Sequence, residues 1–247
     1  EQIYILCPQA AAQEDAQANV PVAVPHTHHT SLLQGPFTTG SEVTRACLEC
    51  HPESAEQVMG TVHWTWESRT YENIPGHEGE AVTIGKKNQI NNFCIGIQGN
   101  WNTCTTCHAG YGWLDADFDF TAQENVDCLV CHDQTATYAK DTGGYPAEGV
   151  DLLAVAQSVG RPTRENCGGC HFDGGGGNGV KHGDLDESLI FPPESVDVHM
   201  GGNDFQCVDC HQTEDHRVSG RSISDSFDME NQIYCTDCHS ETLHEDE

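Results

Sequence analysis

The chain has 247 residues, 36% of them hydrophobic and 25 of them glycine, with a mean hydropathy of -0.51. Thirty-nine acidic side chains against ten basic ones give a formal charge of -29, which excludes a phosphate-binding surface for nucleic acid or an anionic membrane. No stretch reaches the ~18 consecutive apolar residues of a membrane span, and the aliphatic content is thin for this length, so something besides side chains must fill the interior.

Taken in order, residues 1–34 read as an N-terminal arm. It opens on "EQIYILCPQAAA", an apolar patch without a basic flank, as expected where a signal peptide has been removed. It closes on "PHTHHT", which holds His26, His28 and His29. "CLECH" follows (Cys47, Cys50, His51), then His63 in "TVHWTW", His77 in "PGHEGE", Lys86 and Lys87 in "GKKN", and Cys94 in "NNFC". Next come "CTTCH" (Cys104, Cys107, His108) and "CLVCH" (Cys128, Cys131, His132), with Lys140 eight residues beyond the latter. "CGGCH" (Cys167, Cys170, His171) precedes His182 and His199, and "CVDCH" (Cys207, Cys210, His211) precedes His216. "CTDCH" (Cys235, Cys238, His239) and then His244 end the series.

Six copies of Cys-x-x-Cys-His use twelve of the fourteen cysteines. The pattern is that of c-type haem attachment: two thiols add to the vinyl groups of one porphyrin edge, and the following imidazole binds the iron. Zinc ribbons also use Cys-x-x-Cys pairs, but they do not require a histidine behind every pair. Six covalently bound haems in 247 residues leave about 41 residues for each. The macrocycles are therefore expected to form the core of a mostly irregular fold with short α-helices and little β structure, over residues 35–247. The tryptophans are expected to pack against them. The shortest gaps separate the second motif from the third and the fifth from the sixth, so those haems are expected to be neighbours.

Nine histidines lie outside the motifs, and there are only three methionines, so bis-histidine ligation is the expected state of the irons. The expected distal ligands are His63, His182, His199, His216 and His244, with His28 or His29 supplying one more. His77 reads as a loop residue. Cys7 and Cys94 remain, either as a disulfide tying the arm to the body or as two free thiols.

The stretches around these motifs carry more than the cysteines. "GPFTTGSEVTRACLECHPE", "VHWTWE", "GKKNQINNFCIGI", "CTTCHAGYGW", "NVDCLVCHDQTATY", "NCGGCHFDGGGGNGVKHGDLD" and "CTDCHSETLHED" resemble octahaem tetrathionate reductase and its relatives, from about Gly35 to the C-terminus. The resemblance implies an exported, all-c-haem protein of loops and helices, and it supports the same five distal histidines. The family has eight haems where this chain has six motifs. It also implies a reactive haem at the second motif with a lysine on its distal side. Lys140 is then either that ligand or a surface side chain, and Cys94 would line the pocket if the chain is an enzyme.

On this reading the chain is expected to be an electron-transfer protein without a reaction of its own. It is expected to be secreted, extracellular or at the cell surface (otherwise periplasmic), and to pass electrons to other redox proteins or extracellular acceptors. Copies of the chain are expected to join head to tail as a filament through the histidine-rich arm. The alternatives are a reductase of tetrathionate, nitrite or hydroxylamine, and a monomeric shuttle.

Overall fold

A computed structural model describes residues 29–68, 70–90, 94–181, 185–220 and 232–239. Nearly every helix is short: α1 (Gly40–Leu48), α2 (Ser54–Met59) and α3 (Val62–Thr65) lead into a hairpin of β1 (Thr70–Glu72) and β2 (Ala81–Thr83). Then follow α4 (Trp101–Cys104), α5 (Leu129–His132), α6 (Leu152–Gln157), α7 (Arg164–His171), α8 (Met200–Asn203) and α9 (Cys207–Cys210). A second hairpin joins β3 (Thr213–Glu214) to β4 (Arg217–Val218). Both hairpins are antiparallel, with Tyr71 opposite Val82 and Glu214 opposite Arg217. The rest is loop and isolated 3-10 turns, as the sequence predicts. Among the described residues no helix is long and apolar enough to cross a membrane.

Each motif occupies a single helical turn because i,i+3 spacing puts both cysteines on one face. The two longest helices begin with capping boxes. Thr39 accepts from the Glu42 amide at the start of α1, and Thr163 stands in the same relation to Asn166 in α7. These caps satisfy amides that a short helix cannot satisfy internally.

Two apolar clusters flank the site. One is Leu33, Val43, Leu129, Leu152, Val155 and Ala156, where α1, α5 and α6 meet. The other centres on Ala55, Trp64 and Val126. Adjoining the second, through Phe118 and Phe120, is a cluster of Trp66, Ile97 and Trp113, bordered also by Trp101. Trp66 and Trp113 have ring centres 5.0 Å apart, and Trp113 stacks on Phe118 at 5.6 Å, so the indoles pack on one another and build a conventional core around the second motif.

Gly110 shows how closely this core is fitted. A Cβ there would lie 2.6 Å from Trp64 Cζ3 and 2.9 Å from the Asn125 carbonyl oxygen. Gly110→Ala is therefore expected to cost about 2–3 kcal/mol by overpacking, to be read by denaturant unfolding. An unchanged midpoint would show that the Trp64 contact yields freely.

Candidate haem sites

The histidine behind each cysteine pair is placed by its own turn. The amides of His51, His132, His211 and His239 each bond the carbonyl of the first cysteine of their motif, at 2.9, 3.2, 2.8 and 2.9 Å. His132 Nδ1 lies 2.8 Å from the Gly160 carbonyl oxygen and His211 Nδ1 lies 2.8 Å from that of Ser219. This fixes the ring and leaves Nε2 for a metal, as in ligating histidines generally.

Three histidines from outside the motifs stand opposite motif histidines. The ring centres of His63 and His171 are 6.2 Å apart, those of His132 and His216 are 6.4 Å apart, and those of His199 and His239 are 5.9 Å apart. Two metal–imidazole bonds of about 2.0–2.1 Å, with the metal between the rings, put the centres about 6.3 Å apart. The three pairs therefore have the spacing of a bis-imidazole iron. His216 is further oriented by Gln57, whose Oε1 lies 2.8 Å from Nδ1. Among the described residues no three of His, Cys, Asp and Glu converge on one point, the convergence a tetrahedral zinc site would need.

The remaining predicted ligands are placed less informatively. His29 is half-buried in the first 3-10 turn. His28, His182 and His244 lie outside the described residues, as do the arm as far as residue 28 and Cys7. His77 is in an exposed loop beside Glu80, 3.0 Å away. Cys94 is a free, exposed thiol, in line with the second of its two alternatives.

The thiols show which motifs adjoin. Cys128 lies beside Cys47, Cys170 beside Cys107, and Cys167 beside Cys207, and these neighbours draw the Cys107 thiol down to about 6 and the Cys207 thiol to about 7. Cys131 acts electrostatically on Cys167 and Cys170, and Cys238 acts on Cys210. The motifs therefore form a file in the order first, third, fourth, fifth, sixth, and the second stands off it beside the fourth. The expected adjacency of fifth and sixth is present. The second motif touches the third through backbone, the Asp127 amide bonding the Ala109 carbonyl at 3.0 Å, whereas its sulfur contact is with the fourth.

The second motif differs from the others in its histidine. His108 leaves its turn in extended conformation and is fully buried, with ring centres of Trp113, Trp64, Phe118 and Trp66 at 4.8 to 5.5 Å. Its Nε2 lies 2.7 Å from the Trp64 carbonyl oxygen, and its Nδ1 is buried without a partner. Burial pulls the imidazole down to about 3, so it is neutral. In this orientation His108 does not present Nε2 to a metal. The residues of the third, fourth and sixth motifs fit an iron as they stand, and those of the second do not.

Lys140 belongs to the same region. Its side chain is 5% exposed and its Nζ lies 2.8 Å from a fully buried Asp127 carboxylate. It also donates to the carbonyls of His108 and Gly110. The surface reading of Lys140 is thereby overturned. Asp127 accepts from Tyr111 and Tyr138, each at 2.9 Å. None of these three partners of Lys140 was expected from the sequence, although Asp127 stands directly before Cys128.

Residues 194–240 match the family model described as cytochrome c554 and c-prime. The fold superposes on the crystal structure of an octahaem cytochrome c from Shewanella oneidensis with a TM-score of 0.78 and 49% sequence identity, over 89% of this chain. The chain is a multihaem c-type cytochrome related to the octahaem cytochromes. It spans about half of that octahaem cytochrome, 49% of its length. An uncharacterized protein of Archaeoglobus fulgidus is 23% identical over 246 aligned residues, covering 79% of this chain and 81% of its own. The cofactor of this cytochrome is haem c, and its work is electron transfer.

One expectation is corrected by these relationships. A cytochrome without a reaction of its own is not what the 49% identity to an octahaem cytochrome supports. The sequence resemblance to octahaem reductases covers the stretch from Cys104 to Lys140, and Lys140 is built into the interior at that place.

Proposed function

We propose that this cytochrome holds six haems, conducts electrons along the file of five motifs, and passes them to a small inorganic acceptor of the tetrathionate, nitrite or hydroxylamine class. The observation that carries the conduit is the three histidine pairs at 5.9 to 6.4 Å. On this reading His63 caps the iron held by His171, His216 that held by His132, and His199 that held by His239. The remaining three caps come from His28 or His29, His182 and His244. Bound haem supplies a one-electron Fe(III)/Fe(II) couple.

The chain's own residues do the rest. Gly160, Ser219 and Gln57 orient imidazoles through Nδ1, and Trp64, Trp66, Trp113, Phe118 and Phe120 exclude water from the second motif. Tetrathionate takes up two electrons as its central S–S bond breaks and leaves as two thiosulfates, the electrons coming from a reduced partner protein. An exported location follows from the same reading.

Two measurements test it. The intact mass of the holo-protein is expected to show six thioether-linked haems, and fewer would overturn the count. Dithionite-reduced protein, freed of excess reductant, is expected to be reoxidised by at least one of the three acceptors. Persistence of the reduced spectrum with all three would overturn the reductive reading.

A further inference from the structure

The β3–β4 hairpin serves two motifs at once. Its turn is Asp215 and His216, both left-handed at φ 47 and 62. Two-residue turns of this kind favour glycine or asparagine, and a histidine held there against its backbone preference marks a position kept for its side chain. The ring of His216 faces His132, the histidine of the third motif. At the base of the hairpin the Ser219 carbonyl oxygen lies 2.8 Å from His211 Nδ1, and the Ser219 amide bonds the Gln212 carbonyl at 2.8 Å. A Cβ at Gly220 would fall 2.6 Å from His211 Nδ1, so the end of β4 is pressed onto the fifth motif's histidine, and this anchors the tip.

With a metal on Nε2, the Nδ1 of a histidine carries a proton and needs an acceptor. In the His132–His216 pair both rings find one inside the protein. His132 donates to the Gly160 carbonyl at 2.8 Å, and the Gly160 amide returns a bond to the His132 carbonyl at 2.8 Å. His216 donates to Gln57 Oε1, also at 2.8 Å. Among the described residues the other two pairs lack this arrangement. No protein oxygen there stands at hydrogen-bond distance from a ring nitrogen of His63 or His171, and Asp197 Oδ1 is 3.9 Å from His199 Nδ1. A proton drawn toward oxygen makes an imidazole more basic, and a more basic pair of ligands favours ferric over ferrous iron. The acceptors at His132 and His211 are backbone carbonyls, which any side chain at those positions would leave in place. Gln57, on α2 directly after the first motif, is the acceptor that depends on residue type.

We propose that Gln57 sets the redox potential of the site between His132 and His216 and holds it below that of the site between His63 and His171. It does so through the His216 ring, as a positioning residue. The third and fourth motifs are neighbours in the file through Cys131, so the difference favours transfer from the third site to the fourth. The inference rests on the reading that these facing histidines share an iron.

The test is a spectroelectrochemical titration of holo-protein, with the haem count of each variant checked by intact mass. His216→Met and His63→Met mark the two sites, because Met/His ligation raises the potential. The wild-type component displaced by the first is expected to lie below the one displaced by the second. Gln57→Leu removes the acceptor without a change of charge. The six-coordinate fraction of the marked site is then expected to move up by about tenfold in its ferric-to-ferrous ratio, or about 59 mV. Gln57→Asn shortens the side chain and keeps the amide; it should shift the site the same way, and it covers the case in which leucine upsets α2. Gln57→Glu keeps the bond with a stronger acceptor and is expected to move the site down, whereas damage to packing would move all three variants one way. The component marked by His63→Met should stay in place throughout. An unmoved component in Gln57→Leu and Gln57→Asn, or a shift of the same sign in Gln57→Glu, would overturn the role of Gln57. The reverse order of the two marked components would overturn the gradient between them. No displaced component in His216→Met would instead overturn the sharing of an iron by His132 and His216, and with it the cap read for the third motif.

Discussion

Replacing Asp127 by alanine is expected to destabilise the holo-protein by about 3–5 kcal/mol, measured as the shift in denaturant unfolding at neutral pH. The carboxylate is fully buried and lies 2.8 Å from a lysine that is itself 5% exposed. It also accepts from two tyrosine hydroxyls at 2.9 Å and from the Val130 amide at 3.1 Å. Removing it strands an ammonium in low dielectric and leaves two phenols without their acceptor. The phenols cannot compensate by ionising: burial, with Asp127 next in effect, raises both Tyr111 and Tyr138. Asp127→Asn should fall between, because an amide oxygen still accepts from one partner. Arg45→Ala supplies the scale. Its 3.9 Å contact with Glu124 joins side chains 60% and 45% exposed, and its loss should cost under about 1 kcal/mol. An Asp127→Ala variant within that surface range would mean that Lys140 finds another partner, and that the network is not what joins the second motif to the third.

The covalent chemistry was the legible part of this molecule. A porphyrin edge dictates the spacing of two thiols and the residue behind them, so Cys47 to His239 could be read without any knowledge of the fold. So could the loop-rich architecture, because a chain with so little aliphatic material cannot build long packed elements. Distal candidates such as His63, His199 and His216 followed from supply and demand. Their partners did not. His216 reaches His132 and Gln57 across 84 and 159 residues of sequence respectively, and no periodicity encodes such a contact.

The second motif was the least legible. "CTTCH" has the same pattern as its siblings, yet His108 is buried in an aromatic box and turns Nε2 to a backbone carbonyl. The tryptophans that do this were expected to pack against macrocycles, and nothing in their spacing along the chain announces that they also pack on one another. Lys140 was ambiguous for a related reason: an isolated lysine is usually at the surface, and only the carboxylate before Cys128, shared with the phenols of Tyr111 and Tyr138, makes its burial tolerable. Sulfur neighbours then gave an order of motifs that chain spacing does not encode: the second motif meets the third through backbone and the fourth through its cysteine. Local chemistry was encoded locally, and the route between sites was not.

Substituting His63, His199 or His216 singly by alanine is expected to move one haem's worth of low-spin EPR intensity to high spin, with His77→Ala as a silent control. Each of the three faces a motif histidine at the separation an iron between them requires, whereas His77 faces only Glu80 in an exposed loop. Losing the cap leaves the motif histidine alone on the iron, and a five-coordinate ferric site is high-spin. Methionine in place of His63 makes a sharper test. Met/His ligation raises the potential relative to bis-histidine, so one component of a redox titration should shift upward while the others stay. Gln57→Leu should act at a distance, since it frees the Nδ1 that now holds the His216 ring in line. Its effect should be a partial loss of the cap, in keeping with the 10–100-fold cost of removing an outer-shell partner. All haems remaining low-spin in His63→Ala, His199→Ala and His216→Ala would mean that these imidazoles face the motif histidines without sharing an iron, and the conduit would have to be capped by other residues.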